Sequence, residues 1–228
     1  MSKVSAIVLA AGKGSRMGGK VKKQFLDLNS KPILYYALKA FSDNDNIDEI
    51  IIVTSEEEID YCRKDIVEKY EFNKVSCITS GGRERQQSVL NGLKSIKDCE
   101  VVLIHDGARP FVTTEIIDKG IEFAELYGAA APGVTPKDTI KVKDKDNFSI
   151  STPERSSLVA IQTPQCFRYD IIKKCHDNIK ENQIQVTDDT MVVERYAHKV
   201  YLYEGEYTNI KVTTPEDLII AEHLAAQL

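Results

Sequence analysis

The chain has 228 residues, of which 42% are hydrophobic, which is enough for one α/β core and predicts a single domain spanning residues 1–228. Its 30 Lys and Arg against 35 Asp and Glu give a net charge of −5, which argues against DNA or RNA as a partner. The amino terminus lacks a signal-peptide pattern and no apolar run approaches the roughly 20 residues of a membrane span, so we expect a cytosolic protein without membrane contact.

The cysteines and histidines form no metal or disulfide pattern. The five cysteines include no C-x-x-C pair, and none of the four histidines has ligand spacing with a cysteine. We therefore expect reduced thiols and no zinc site.

The stretch from Ala6 to Phe25, AIVLAAGKGSRMGGKVKKQF, contains the first predicted strand and the first predicted site. Its apolar run ends at Gly12 and Gly14, which is typical of a buried strand that enters a tight turn. Glycines let backbone N–H groups approach phosphate oxygens, and five cations surround them: Lys13, Arg16, Lys20, Lys22 and Lys23. The turn therefore predicts a triphosphate ligand, although an ordinary strand-to-helix turn with solvated lysines has the same glycine spacing.

Two common phosphate-binding motifs do not fit this turn. Met17 stands where the dinucleotide fingerprint needs its third glycine. The P-loop frame from Gly14 reaches Lys20 and then has Val21 in place of the hydroxyl residue that binds Mg²⁺.

The following elements alternate as in an α/β fold. Apolar residues at helical spacing predict a helix over residues 33–41, and the β-branched run from Ile50 to Val53 predicts a parallel strand buried on both faces. A charged surface helix is predicted from Glu56 to Tyr70, and a third strand from Val75 to Thr79.

Paired glycines follow this third strand. Gly81 and Gly82 precede a helical pattern that contains Ser88, so backbone N–H groups and a helix N-terminus should lie at the carboxyl edge of the sheet. This is the ligand side of open α/β folds. A plain helix cap would give the same pattern.

The segment VVLIHDGARPF supplies a metal candidate. Val101 to Ile104 predicts a strand, and His105, Asp106 and Arg109 lie where it ends. Mg²⁺ prefers oxygen ligands and often uses only one or two carboxylates when it is held on phosphates. Asp106 is therefore the predicted metal ligand, and a turn-capping aspartate neutralised by Arg109 is the alternative.

A β-hairpin is predicted after the helix at Thr114–Tyr127 and a small-residue strand. Residues 139–143 and 148–151 alternate around a polar turn at residues 144–147 and contain few apolar side chains. Because a lone hairpin is marginally stable in water, it must lie against its own domain or a second copy of the chain.

Several of these segments resemble one family. AAGKGSRMG followed by KKQF resembles the signature of the nucleotidyltransferases with a Rossmann-like fold, most closely the cytidylyltransferases that act on 2-C-methyl-D-erythritol 4-phosphate. Further blocks of that family are resembled by GGRERQQSVLNGL, HDGARPF, PERSSLVAIQTPQCF, VTDDTMVVE and YTNIKVTTPEDLIIAEHLA, so the resemblance covers residues 7–224. It implies an α/β fold with a mostly parallel twisted sheet flanked by helices, and a protruding β-arm at residues 136–157 that forms a homodimer.

The resemblance also implies site residues. Contacts to CTP are implied for Ala10, Ala11, Gly12, Gly14, Lys23, Gly81, Gly82, Ser88, Asp106 and Gly107. Contacts to the sugar phosphate are implied for Asp106, Arg109, Thr139, Arg155, Thr163, Thr187 and Lys211. The resemblance further implies that the catalytic cations are Arg16, Lys23, Lys211 and, from a partner chain, Arg155, and that Asp106 holds the Mg²⁺ cofactor.

Without the resemblance, some of these residues have simpler interpretations. Arg155 would be a surface charge, and Asp188 or Asp189 a helix cap before MVVE. Lys211 lies between Ile210 and Val212 in an alternating pattern that predicts a strand with an outward-facing lysine.

The reaction implied by the resemblance is cytidylyl transfer in non-mevalonate isoprenoid synthesis. The phosphate of the sugar alcohol attacks the α-phosphorus of CTP, and pyrophosphate leaves. Because two anions meet and charge spreads over phosphoryl oxygens, cations that position and stabilise are sufficient. The attacking phosphate is already ionised, so no general base, protein nucleophile or histidine role is expected.

Two alternatives remain at this point. Cytidylyltransferases that act on ribitol 5-phosphate are similar in the first loop but commonly carry AGG where this chain has AAG at residues 10–12. A catalytically dead nucleotide-binding module is the other alternative, and the intact set Arg16, Lys23, Asp106 and Lys211 argues against it.

Overall fold

The computed structural model describes residues 2–12, 22–182, 184 and 186–227, with the backbone alone at residues 181 and 182. The predicted site residues Gly14 and Arg16 lie outside these ranges.

The described residues form one central sheet of eight strands and two small sheets of two strands each. The strands, in chain order, are β1 (Val4–Leu9), β2 (Asp27–Leu28), β3 (Lys31–Pro32), β4 (Glu49–Thr54), β5 (Val75–Ser80), β6 (Val101–Asp106), β7 (Ala129–Val134), β8 (Val142–Lys143), β9 (Ser149–Ser151), β10 (Ala160–Ile161), β11 (Gln165–Arg168) and β12 (Tyr201–Glu204). Parallel pairing joins β6, β1, β4 and β5 in that spatial order. Strand β11 lies antiparallel between β6 and β7, and β12 pairs parallel with β7. The predicted α/β fold with a mostly parallel sheet is therefore confirmed.

Helices cover both faces of the sheet. They are α1 (Ile33–Asp43), α2 (Ile59–Tyr61), α3 (Arg85–Ser95), α4 (Thr114–Tyr127), α5 (Tyr169–Asn182), α6 (Asp189–Glu194) and α7 (Pro215–Ala225). The predicted surface helix at residues 56–70 consists of a 3-10 turn, α2 and a wider π-helical segment, Cys62–Glu68. Among the described residues, no helix has both the length and the apolarity needed to cross a membrane.

Successive residues of the parallel strands enter two separate cores, because side chains alternate across a strand. Val8 packs in the cluster that contains Leu38 and Phe41 of α1. Its neighbour Ile7 packs in the opposite cluster with Leu93 of α3 and residues of α5. Burial on both faces explains why these strands read as continuous apolar runs.

One sequence-based element is wrong. The segment around Lys211 is not a strand: the strand of this region is β12, and Lys211 follows it in an irregular segment before α7. The Val212 N–H donates to Ala108 O at 2.9 Å, and Val212 is fully buried. This attachment to the turn after β6 holds Lys211 beside the carboxyl edge of the sheet.

Candidate active site

A cavity of about 770 Å³ opens where the carboxyl ends of β1, β5 and β6 meet. Of the residues predicted from the sequence, it is lined by Ala11, Gly12, Lys23, Gly81, Gly82, Ser88, Asp106 and Lys211. Parallel strands place their carboxyl ends at one edge, so turns far apart in the sequence converge here.

The cavity is suited to an anionic ligand. Its described lining includes four basic side chains, Lys23, Arg83, Arg85 and Lys211, and two acidic ones, Glu84 and Asp106. This local excess of positive charge contrasts with the net charge of −5 of the whole chain. A negatively charged ligand is therefore attracted to this edge of the sheet.

Gln24 fixes the far end of the first loop. Its side chain is buried, and Nε2 donates to Ala10 O and, at 3.3 Å, to Gly12 O. The 3-10 turn Lys23–Phe25 is thereby tied to the end of β1, and Lys23 lines the cavity. Neighbouring Lys22, one of the five cations of the predicted patch, instead contacts Ser55 and lies 3.4 Å from Glu58.

The paired glycines bring two turns into close contact. A Cβ atom at Gly81 would lie 2.5 Å from Ala11 Cβ and 2.8 Å from Ser88 Oγ, so a larger residue would push these turns apart. The Gly82 N–H donates to Ser88 Oγ at 3.0 Å. Ser88 is buried at the start of α3 and fixes the glycine turn against the helix.

Asp106 lies between two cations at the end of β6. Its side chain is only 13% exposed, with Lys211 Nζ 2.6 Å from Oδ2 and Arg85 Nε 3.5 Å from Oδ1. Burial alone would raise the pKa of Asp106, but the charges of Arg85 and Lys211 outweigh burial and hold that pKa well below its usual range. Asp106 is therefore a carboxylate at neutral pH.

A directional hydrogen-bond chain fixes the backbone around Asp106. The Arg109 carbonyl can only accept, so His105 Nε2 carries the proton and donates to it at 3.0 Å. The other ring nitrogen, Nδ1, then accepts from Thr163 Oγ1 at 3.2 Å, and Oγ1 accepts from the Asp106 N–H at 3.1 Å. Thr163 is thus buried behind Asp106.

The remaining candidates of this segment also have structural contacts. Arg109 Nη1 donates to Asn209 O at 2.7 Å, which ties the turn after β6 to the segment that carries Lys211. Gly107 donates to Leu9 O at 2.9 Å, and a Cβ there would lie 2.9 Å from Leu34 Cδ1. Ala10 is buried behind the cavity, where its N–H donates to Val53 O.

Three candidates are exposed and lie outside the cavity lining in the single chain. Thr139 is exposed in the hairpin segment, and Arg155 donates to Pro136 O at 2.7 Å and to Lys137 O. Thr187 is exposed before α6, where Asp188 is the N-cap residue and accepts from Met191 N. The helix-cap interpretation therefore applies to Asp188 and not to Asp189.

Several residues of the described cavity lining were not identified from the sequence, and two of them, Gln24 and Arg85, hold other parts of the site in place. Gln24 belongs to the KKQF segment, and Arg85 belongs to GGRERQQS, so both lie in motifs that were recognised for other residues. Their importance depends on distant partners: Gln24 binds the end of β1, and Arg85 binds Asp106 and Asp189.

The donor set fits Mg²⁺ that arrives on a triphosphate. Among the described residues, no three His, Cys, Asp or Glu side chains gather into a metal cluster. The cavity offers the ionised Asp106 carboxylate at the strand end, apart from the exposed side chain of Glu84, and Mg²⁺ commonly takes its other ligands from phosphates and water. Asp106 is the residue of this cavity that fits the ion.

The buried imidazole predicts a pH effect on stability. Burial lowers the pKa of His105 to about 4, whereas in the unfolded chain it is about 6.5. As pH falls through this window, the unfolded chain gains a proton that the folded chain does not, so the unfolding free energy should fall by roughly 3 kcal/mol. Denaturant unfolding at a series of pH values measures this slope.

His105→Gln is the test variant. His198→Gln is its control, because the side chain of His198 is exposed. His105→Gln should flatten the slope between about pH 6.5 and 4, and His198→Gln should keep it. An unchanged slope in His105→Gln would show that this imidazole is not the group responsible.

Comparison with known proteins gives a consistent result. The model of the family described as IspD, 2-C-methyl-D-erythritol 4-phosphate cytidylyltransferase, matches residues 4–227. An enzyme of that name from Clostridium perfringens is 60% identical over 223 residues, covering 98% of this chain and 99% of the relative. One from Clostridium botulinum is 58% identical over 229 residues and covers both chains completely.

Solved structures agree with the sequence comparison. The structure titled 4-diphosphocytidyl-2C-methyl-D-erythritol synthase from Anaerococcus prevotii has a TM-score of 0.88 and 34% identity, covering 99% of this chain and 96% of that one. A 2-C-methyl-D-erythritol 4-phosphate cytidylyltransferase from Thermus thermophilus has a TM-score of 0.79 and 27% identity, covering 96% and 98%.

The family match spans nearly the whole chain, and the cavity contains residues of the motifs AAGKGSRMG-KKQF, GGRERQQS and HDGARPF. The relationship expected from those motifs is confirmed, and the chain belongs to the 2-C-methyl-D-erythritol 4-phosphate cytidylyltransferase family.

Proposed function

We propose that this chain transfers the cytidylyl group of CTP to the phosphate of 2-C-methyl-D-erythritol 4-phosphate, giving 4-diphosphocytidyl-2-C-methyl-D-erythritol and pyrophosphate. The observation that carries the proposal is the meeting of Lys23, Lys211 and Asp106 in one cavity at the carboxyl edge of the sheet. Family membership supports the choice of both substrates.

CTP would occupy the cavity with its base toward the glycine turn. Gly81, Gly82 and Ser88 form a polar wall on one side, where backbone C=O groups can accept hydrogen bonds from a base and so distinguish bases. The triphosphate would lie against Lys23 and Lys211, with Arg16 added from the loop outside the described residues. The backbone at Gly12, where a Cβ would meet no atom within 4 Å, flanks this region and leaves room for a close approach.

Asp106 would hold Mg²⁺ together with the triphosphate oxygens. Bound there, the ion would neutralise phosphate charge and orient the phosphates. The chain's own contribution is to keep the Asp106 carboxylate ionised and in place through Arg85, Lys211 and the hydrogen bond from its N–H to Thr163.

The transfer would need no protein base. A phosphate monoester is ionised near neutral pH, and the charge that develops on the phosphoryl oxygens is stabilised by preorganised cations. Lys23, Lys211 and Arg16 would supply that charge. His105 is neutral and already uses both ring nitrogens, so its place is structural.

A second copy of the chain would complete the site through the arm at residues 136–157. Strands β8 and β9 form an antiparallel hairpin whose apolar side chains are exposed, with Phe148 at 72% and Ile150 at 64%. Exposed apolar residues on a two-stranded ribbon favour a partner surface. The homodimer would bring Arg155 to the incoming phosphate of the neighbouring site, with Thr139 from the same arm and with Arg109 and Thr187 from the receiving chain.

Pyrophosphate release tests the proposed reaction. The full chain is mixed with CTP, Mg²⁺ and either 2-C-methyl-D-erythritol 4-phosphate or ribitol 5-phosphate, with ATP, GTP and UTP as nucleotide controls. We expect rapid release only with CTP and the methylerythritol substrate. Release only with ribitol phosphate would reassign the substrate, and CTP binding without release would point to a dead nucleotide-binding module.

Lys23 and Lys22 form a matched pair for the role of the cavity cation. Lys23→Ala should lower kcat by about 10²-fold or more, because a transition-state charge donor is lost. Lys22→Ala should retain most of the rate, since Lys22 contacts Glu58 and Ser55. Near-normal turnover in Lys23→Ala would contradict the assignment.

A complementation experiment tests the role of the arm. Homodimers of Lys23→Ala and homodimers of Arg155→Ala should both be weakly active. If Arg155 acts across the interface, a mixed dimer with one chain of each variant contains one site in which both residues are native. An equimolar mixture should therefore regain about a quarter of the native activity. Sedimentation at micromolar concentration is the control, and a monomer only, or no recovery in mixed dimers, would refute the arm's role.

A further inference from the structure

Arg85 connects the cavity to a carboxylate in the core. Its side chain is 30% exposed and begins α3, directly after the glycine turn. Nη1 lies 2.6 Å from Asp189 Oδ2, and Nε lies 3.5 Å from Asp106 Oδ1. One guanidinium therefore spans two carboxylates, one in the cavity lining and one in the interior.

Asp189 is itself held on several sides. Its side chain is 1% exposed, and Oδ1 lies 3.2 Å from Nε2 of buried His176 on α5. Its N–H donates to Gln165 Oε1 at 2.9 Å. The Asp189 carboxylate is thus held in place by the core, and the guanidinium of Arg85 is bound to it.

The two cations on Asp106 differ in how firmly they are held. Arg85 is anchored at its far end by Asp189, whereas the side chain of Lys211 is 36% exposed. A lysine is a flexible point charge, but a guanidinium with two carboxylate partners has a defined plane. Arg85 can therefore fix Asp106 Oδ1 while Lys211 remains able to leave Oδ2 for a phosphate.

A buried carboxylate is costly to desolvate, and an apolar residue would often stabilise a core equally well. The helix-cap role in this segment is already filled by Asp188. The carboxylate of Asp189 therefore has two charged or titratable side-chain partners, His176 and Arg85. Only the contact with Arg85 links it to Asp106.

We propose that Asp189 is a positioning residue: by anchoring Arg85 from the core, it holds the Asp106 carboxylate in the orientation that receives the magnesium–nucleotide complex. The inference rests on the proposed function, because it takes Asp106 as the residue that holds Mg²⁺. Asp189 touches neither substrate nor metal and acts through Arg85.

The test compares Asp189→Asn with His176→Gln. Both alter the same buried cluster, but only Asp189→Asn removes the charge that anchors Arg85. The Mg²⁺ concentration that gives half-maximal pyrophosphate release should rise roughly 10-fold or more in Asp189→Asn, as for other residues that orient a metal ligand. His176→Gln keeps the charge of Asp189 and supplies an amide N–H in place of the imidazole donor to Oδ1, so it should leave that Mg²⁺ requirement close to the native value.

Calorimetry gives a readout that does not depend on turnover. The affinity for CTP is measured with and without Mg²⁺, and the enhancement by Mg²⁺ should shrink about 10-fold in Asp189→Asn and persist in His176→Gln. Arg85→Lys is the second variant if Asp189→Asn fails to fold, because a lysine cannot span both carboxylates. It should show the same loss.

Three results would overturn the inference: a native Mg²⁺ requirement in Asp189→Asn, an equal change in His176→Gln, or a native Mg²⁺ requirement in Arg85→Lys. Pyrophosphate release by the native protein distinguishes failure of this inference from failure of the proposed function. If the native chain releases no pyrophosphate, the function is wrong; if it does and these variants match it, only the role of Asp189 is wrong.

Discussion

The site depends on keeping one carboxylate, Asp106, ionised at the end of a buried strand. A largely buried aspartate would favour its neutral form, and a neutral acid is a poor ligand for a cation. Arg85 and Lys211 reverse that preference from opposite sides of the carboxylate. The fold serves this arrangement, since α3 begins at Arg85 and the segment after β12 delivers Lys211.

The same constraint explains why an acidic chain carries a positive cavity. The two proposed ligands are anions, so the site must supply more positive charge than the Asp106 carboxylate neutralises. Cations reach the cavity from three distant regions: the turn at Lys23, the start of α3 and the segment before α7. Hydrogen bonds from the side chains of Gln24 and Arg109 to the backbone carbonyls of Gly12 and Asn209 hold the first and the last of these regions at the sheet edge.

Much of the fold and part of the site could be predicted from local sequence. The parallel strands are continuous apolar runs, and the first helix has apolar residues at helical spacing, so local patterns located both correctly. The alternating pattern around Lys211 predicted a strand that the structure does not contain. This segment is held instead by the hydrogen bond from the Val212 N–H to Ala108 O. The Arg85–Asp189 pair joins residues 104 positions apart, so the periodicity of apolar residues within a segment could not predict this contact.

The most direct measurement of the central claim is a crystal structure of the protein with CTP and Mg²⁺. The account predicts the cytosine against Gly81, Gly82 and Ser88, the triphosphate at Lys23 and Lys211, and Mg²⁺ bound by an oxygen of Asp106 with Arg85 still on Asp189. A nucleotide bound elsewhere, or Mg²⁺ held without Asp106, would contradict it.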